Sequence, residues 1–150
     1  LIALLNPSNE PGKIVLITRM GAGKVQESLP PLVEGVHWAG RRVLWVCDPM
    51  HGNGKTLGSG IKTRDFDDIL REIELTFDIH SAAGSFLGGV HFELTGEDVT
   101  ECTGDAARVT EEDLDKNYAS LCDPRLNYRQ ALEMSFRIAR RMATRPTLPP

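Results

Sequence analysis

Arg19, Asp48, His51 and Glu93 are residues of the kinds that bind anions, metal ions or protons, and each sits in or just after a short apolar run. His51, Glu93 and one of the aspartates together make a nitrogen–oxygen donor set. Imidazole plus carboxylate suits manganese, iron, cobalt or zinc, and the mixture argues against a calcium cage. Glu93 carries the strongest signal, because a carboxylate in an apolar segment is costly to bury unless it is paired or ligates a metal. Arg19 precedes Gly21-Ala22-Gly23, and a guanidinium flanked by small residues suits bidentate capture of phosphate or carboxylate. The plainer alternatives stay open: a polar loop histidine at 51, an exposed loop arginine at 19, and a core histidine or a partner of Glu93 at His91.

These side chains can converge only if the chain folds so as to bring them to one place. KIVLIT (13–18) reads as a buried strand, short and β-branched. Apolar residues at 25, 29, 32, 33 and 36 then give helical spacing over 25–36, with Gly40 as the stop. RRVLWV makes a second strand ending near Val46, and the glycine-rich stretch 47–64 reads as loop. A helix over 66–83, with Asp65 as cap and Gly84 as terminator, leads to a third strand over 89–95. After a long acidic connection a last helix spans 127–142, its apolar side set by Leu132, Phe136, Ile138 and Ala139. LIALL at the start reads as the end of a helix, and residues 145–150 as a proline-rich tail. Three βα units with buried-type strands imply an α/β fold with a parallel sheet. The carboxyl ends of such strands open on one crevice, where ligands bind. Three strands cannot close a barrel. The chain is therefore either a small open doubly wound sheet or about the last three βα units of a (β/α)8 TIM barrel.

Composition excludes several classes. With 41% hydrophobic and 25% charged residues the 150-residue chain is globular rather than disordered, and a net charge of −4 gives no reason to expect nucleic acid or an anionic membrane surface. No apolar run reaches the roughly 20 residues of a membrane span, so a cytoplasmic protein is expected. Cys47, Cys102 and Cys122 are odd in number and widely spaced, which fits reduced thiols rather than a disulfide framework or a zinc ribbon. Gly54-Lys55-Thr56 fails as a P-loop, since Pro49 stands where its first glycine belongs. Gly21-Ala22-Gly23 with Asp48 leaves a dinucleotide-binding domain as a weak alternative, because Gln26 stands in place of the third glycine.

WVCDPMHGN (45–53), GIKTRDFDDILREI (60–73), GGVHFELTGEDVTEC (88–102) and LCDPRLNYRQALEMSF (121–136), with PGKIVLITRMGAGKVQESLPPLV before them, resemble class II 3-deoxy-D-arabino-heptulosonate 7-phosphate (DAHP) synthase. The resemblance covers nearly the whole chain. It implies a (β/α)8 barrel of which residues 1–150 are a carboxyl-terminal segment, and a cytoplasmic enzyme of the shikimate pathway and aromatic amino-acid biosynthesis. Its implied reaction condenses phosphoenolpyruvate with erythrose 4-phosphate and releases phosphate. It further implies a divalent metal, manganese before cobalt, held by His51, Glu93 and Asp123 together with a cysteine from an upstream motif not in this chain. His51 and Glu93 are then the catalytic pair, Arg19 contacts phosphoenolpyruvate, and Lys62 and Arg64 lie near the substrate mouth. A homo-oligomeric full-length protein is expected, with little activity in the 150 residues alone. The sequence departs from the family pattern at GNGKTLGSG after His51, at Ser85-Phe86-Leu87 and at Thr103-Gly104-Asp105. These departures are expected near the active-site mouth. They keep open a secondary-metabolism relative using an amino-sugar phosphate, or a non-catalytic subunit that completes a barrel.

Overall fold

A computed structural model describes residues 1–104 and 108–143; the tail and Asp105 fall outside them. The described chain forms two compact units, one comprising residues 1–54 and 67–92 and the other residues 55–66 together with those from Glu93 onward.

The first unit is a parallel α/β layer. After a single helical turn, α1 (Ile2–Leu5), come β1 (Val15–Thr18), α2 (Val25–Trp38), β2 (Leu44–Cys47), most of α3 (Phe66–Ala82) and β5 (Leu87–Val90). The strands lie in the order β1-β2-β5, all parallel. Val15 pairs with Leu44 and Thr18 with Cys47, and a register shift falls between Trp45 and Val46 where β2 meets β5. Two further bonds extend the ladder past the strand ends: Asp48 N–H donates to the Thr18 carbonyl (2.7 Å) and His91 N–H to that of Cys47 (2.8 Å).

Expected and observed helices agree closely. Val25, Leu29, Val33 and Val36 form the buried stripe of α2, whereas Leu32 is exposed. Ile69, Ile73 and Phe77 form that of α3. One face of the sheet carries Trp45 and Cys47 against α3: the Trp45 and His80 rings are 5.3 Å apart, and Cys47 Sγ lies 3.6 Å from Thr76 Oγ1. The opposite face carries Val15, Ile17 and Leu44, which are 46%, 48% and 40% exposed. Burial of both strand faces was expected, but the described chain covers one. Gly84, at φ +62°, ends α3 as expected.

The third strand requires a correction. It was expected over 89–95 but spans Leu87–Val90. His91 and Glu93 therefore lie beyond it, and alternation along a strand does not relate them. His91 is exposed rather than a core residue.

The second unit is built mostly from loops. The stretch read as irregular contains a hairpin, β3 (Gly54–Thr56) and β4 (Lys62–Arg64). Gly54 opens β3, while Gly58 and Gly60 fall in the connection, where Gly60 takes φ +86° and permits the turn. The last helix, α4, spans Tyr128–Ala143. Asn127 caps it, its Oδ1 accepting the amides of Arg129 and Gln130. The expected apolar side does not face the core, since Leu132 and Phe136 are 55% and 60% exposed, while Gln130 and Met134 are buried. Gln130 is retained inside because its Nε2 donates to the Cys102 carbonyl and its Oε1 accepts the Asn127 amide. All three cysteines are free thiols, and burial pushes Cys47 and Cys102 up to about 12. Among the described residues no helix is long and apolar enough to cross a membrane.

Candidate functional site

In the first unit the parallel ladder delivers Arg19, Asp48 and His51 to the carboxyl ends of β1 and β2. Thr18 and Cys47 are register partners, so the residues that follow them emerge side by side. Asp48 is fully buried and organises the group. Its Oδ1 accepts the amides of Met50 (3.1 Å) and His51 (3.2 Å). Its Oδ2 lies 2.7 Å from His51 Nδ1 and 3.4 Å from Arg19 Nε. A carboxylate on Nδ1 fixes the imidazole tautomer and ring orientation, so that a metal would be met by Nε2. The same carboxylate aims the Arg19 guanidinium, whose side chain is more than half exposed. His91 lies beside this group, its ring 6.2 Å from that of His51 and inclined by 29°.

Two turns must touch to hold this arrangement. Gly21, at φ +86°, follows Arg19 and Met20. A methyl group there would lie 2.6 Å from the Gly52 carbonyl oxygen, and one on Gly52 would lie 2.3 Å from the Gly21 nitrogen. The backbones meet where no side chain fits. Asn53 and Glu72 close the contact. Asn53 Oδ1 accepts the Ala22 amide, and its Nδ2 donates to the Pro49 carbonyl and to Glu72 Oε2. Glu72 Oε1 accepts the Met20 amide. The amides of Met20 and Ala22, which a bound pyrophosphate would need, thus already serve protein acceptors. This counts against the dinucleotide alternative.

In the second unit Glu93, Asp123, Lys62 and Arg64 form a second cluster. Carboxylate oxygens of Glu93 and Asp123 lie within 4.8 Å of each other. Two like charges so close need cations. Arg64, 2% exposed, puts Nη1 2.5 Å from Glu93 Oε2 and also donates to the Pro124 carbonyl. Lys62, from the same strand β4, reaches Asp123 Oδ1 at 3.5 Å. Burial works to raise the Asp123 carboxyl, but Lys62 and Arg64 outweigh it and hold the group below the usual carboxylate range. Carboxylate oxygens gathered in this way are the hard donors that a divalent metal takes.

Asp123 sits in a loop, and a buried glutamate shapes that loop. Glu101, fully buried, accepts the amides of Ala119 and Ser120 on Oε1 and that of Arg125 on Oε2, with a two-pronged ion pair to the Arg125 guanidinium. Burial raises its carboxyl, but the Arg125 bonds and the Ala119 amide outweigh it and bring it below the ordinary value.

Strand-end position pointed to Arg19, Asp48 and His51, which the structure brings together. Glu93 was proposed on the expectation of a strand that stops short of it, and Asp123 by resemblance alone. Glu72, Asn53 and Glu101 were missed. Asn53 follows His51 by two residues, which was the available signal. Glu72 and Glu101 gave none, since a helix glutamate and an acidic connection both read as solvated. Of the departures from the family pattern, Ser85-Phe86-Leu87 lies at the amino-terminal end of β5, opposite the strand ends that carry Arg19 and His51. This corrects its expected place near the mouth. Thr103 and Gly104 pack on Asp65 and Phe66, and Asp105 lies outside the described residues.

Residues 1–139 match the sequence model of the Class-II DAHP synthetase family. Over 135 residues, 90% of its length, the chain is 50% identical to phospho-2-dehydro-3-deoxyheptonate aldolase AroG of Mycolicibacterium smegmatis, of which the match covers 29%. It is 53% identical over 142 residues to the enzyme of the same name from Neurospora crassa, covering 93% of this chain and 29% of that one. The corresponding Streptomyces coelicolor protein is 48% identical over 138 residues, 92% of this chain and 31% of that one. The chain thus spans about three tenths of the length of these relatives.

Proposed function

The chain belongs to the Class-II DAHP synthetase family, and from that premise we propose that it supplies a carboxyl-terminal part of a (β/α)8 barrel condensing phosphoenolpyruvate with erythrose 4-phosphate. The observation that carries the reading is Asp48, a buried carboxylate at a strand end that holds both an arginine and a histidine. That is the pairing of an anion binder with a metal ligand that this chemistry needs. The sheet face bearing Val15, Ile17 and Leu44 supports the barrel, because alternate strand residues of such a fold point into its interior.

On this reading His51, Glu93 and Asp123 hold the divalent ion, with manganese or cobalt suited to the donor set. Such an ion would polarise the aldehyde oxygen of the aldose phosphate as a Lewis acid. Arg19 takes the phosphate or carboxylate of phosphoenolpyruvate in its planar fork and orients the enol carbon for attack. Asp48 keeps Arg19 aimed and His51 in one tautomer. Arg64 pairs with Glu93 and holds it in place, and Lys62 supplies a second cation for the phosphorylated substrates. A carbon–carbon bond forms between the enol carbon and the aldehyde. Water then adds at the adjacent carbon, and its C–O bond to phosphate breaks. A cytoplasmic location and a homo-oligomeric full-length enzyme belong to the same proposal. An amino-sugar phosphate in place of erythrose 4-phosphate is the competing substrate, resting on the hairpin after His51.

The test follows the ultraviolet loss of phosphoenolpyruvate with erythrose 4-phosphate and Mn2+, for this chain and for one extended amino-terminally to its relatives' length. Turnover is expected in the extended protein and lost, by at least about a thousandfold, in His51→Ala and Glu93→Ala. Absence of turnover in both proteins would overturn the proposal. Turnover with an amino-sugar phosphate alone would reassign the substrate.

A further inference from the structure

We infer that Glu72, a buried residue of α3 far in sequence from both strand-end motifs, is a positioning residue for Arg19 and His51, and that it acts as an acceptor-only carboxylate. The inference deepens the proposed function, since it concerns the same phosphoenolpyruvate and metal groups.

Glu72 is 1% exposed. One oxygen receives the Met20 amide at 2.9 Å, and Met20 directly follows Arg19. The other receives Asn53 Nδ2 at 2.7 Å, and Asn53 ends the single helical turn that starts at His51. The Asn53 amide cannot turn over to suit a different partner. Its oxygen is fixed by the Ala22 amide at 2.9 Å, and its nitrogen also serves the Pro49 carbonyl at 2.7 Å. The neighbours of Glu72 are therefore all donors, the Gly21 amide among them, and one side chain ties the turn after Arg19 to the turn containing His51. The Gly21–Gly52 backbone contact between those turns needs such a tie. Desolvation is the main influence on the Glu72 carboxyl and pushes it up, while the bonds from Met20, Gly21 and Asn53 oppose it. A buried carboxylate of this kind persists because its hydrogen bonds offset the cost of burial.

Glutamine is nearly isosteric but cannot replace it. In either orientation its NH2 group meets another donor, Asn53 Nδ2 or the Met20 amide. Reversing the polarity of the bond to residue 53 repairs this at position 72, at the cost of the donor that Asn53 Nδ2 gives the Pro49 carbonyl. In Glu72→Gln combined with Asn53→Asp, the glutamine oxygen keeps Met20 and its NH2 donates to the new carboxylate, which still accepts the Ala22 amide.

The experiment uses the full-length enzyme. Glu72→Gln is expected to raise KM for phosphoenolpyruvate and the Kd for Mn2+ by about 10- to 100-fold each, the range for residues that orient ligands from behind. Glu72→Gln/Asn53→Asp is expected to recover part of both losses, the lost bond to the Pro49 carbonyl limiting the rescue. A variant that merely folds less well would lose active enzyme at unchanged KM and Kd. That pattern, or wild-type values for both constants, overturns the inference. Should Glu72→Gln fail to fold, Asn53→Ala is measured in the same way, with the same two constants deciding. Deuterium uptake of residues 19–23 separates the two levels of argument, since it reads the tie whether or not the enzyme turns over. Wild-type protein without turnover sinks the proposed function. Unchanged uptake in Glu72→Gln sinks the role of Glu72.

Discussion

The two compact units place their candidate site residues by different means. In the first, backbone hydrogen bonds of a parallel ladder run past the strand ends and bring Arg19, Asp48 and His51 side by side. In the second, Glu93 and Asp123 stand on irregular backbone, held by Arg64, Lys62 and the Glu101–Arg125 pair. Ladder placement spreads its stability over many weak bonds, whereas placement by a buried ion pair concentrates it in a few. Damage to single residues should therefore hurt the second region more.

The largest effect is expected from Glu101→Ala. It leaves the Arg125 guanidinium and three backbone amides without their acceptor, so the loss should approach the ~3–5 kcal/mol of a broken buried pair. Denaturant unfolding would measure it. Hydrogen exchange should show protection lost around 119–125 and kept in β1 and β2; loss in both regions alike would erase the contrast.

Asp48→Asn strikes the first region. The asparagine oxygen can still accept the amides of Met50 and His51, but its NH2 faces the histidine ring and Arg19. Mn2+ affinity of the full-length enzyme should fall about 10- to 100-fold, with β1 and β2 still protected. Unchanged affinity would remove Asp48 from the site.

Acid should separate the regions more gently. Glu101 is depressed in the folded state, so its contribution is complete above the ordinary glutamate value of about 4.3 and is lost as pH falls through the lower folded value. Exchange measured between pH 5 and 3 should loosen 119–125 while β1 and β2 stay protected. Unchanged protection of 119–125 over this range would show that the direction for Glu101 is wrong.

The smallest effect is chemical. Burial holds the thiols of Cys47 and Cys102 near 12, while Cys122, exposed beside Asp123, is accessible. A maleimide under native conditions should label Cys122 with little change in stability. Labelling of all three would show the core to be open.

The same contrast explains what could be read in the sequence. Strand-end residues were legible because apolar runs mark strands and topology fixes where the next residue goes. The loop of Asp123 was not, because its shape depends on Glu101, 22 residues earlier and recorded in no periodicity. The apolar side of α4 was misjudged for a related reason, since Gln130 is buried on the strength of bonds to distant backbone that no hydrophobic pattern records. The hairpin 54–64 was hidden because glycine count signals a turn and not the regular arms beside it.

The contact between Gly21 and Gly52 bears on how such a sequence can change over time. A side chain at either position would strike the backbone of the other, so a substitution at one cannot be compensated by any choice at its partner. The two sites are fixed as a pair, although 31 residues separate them and neither touches a substrate by its side chain.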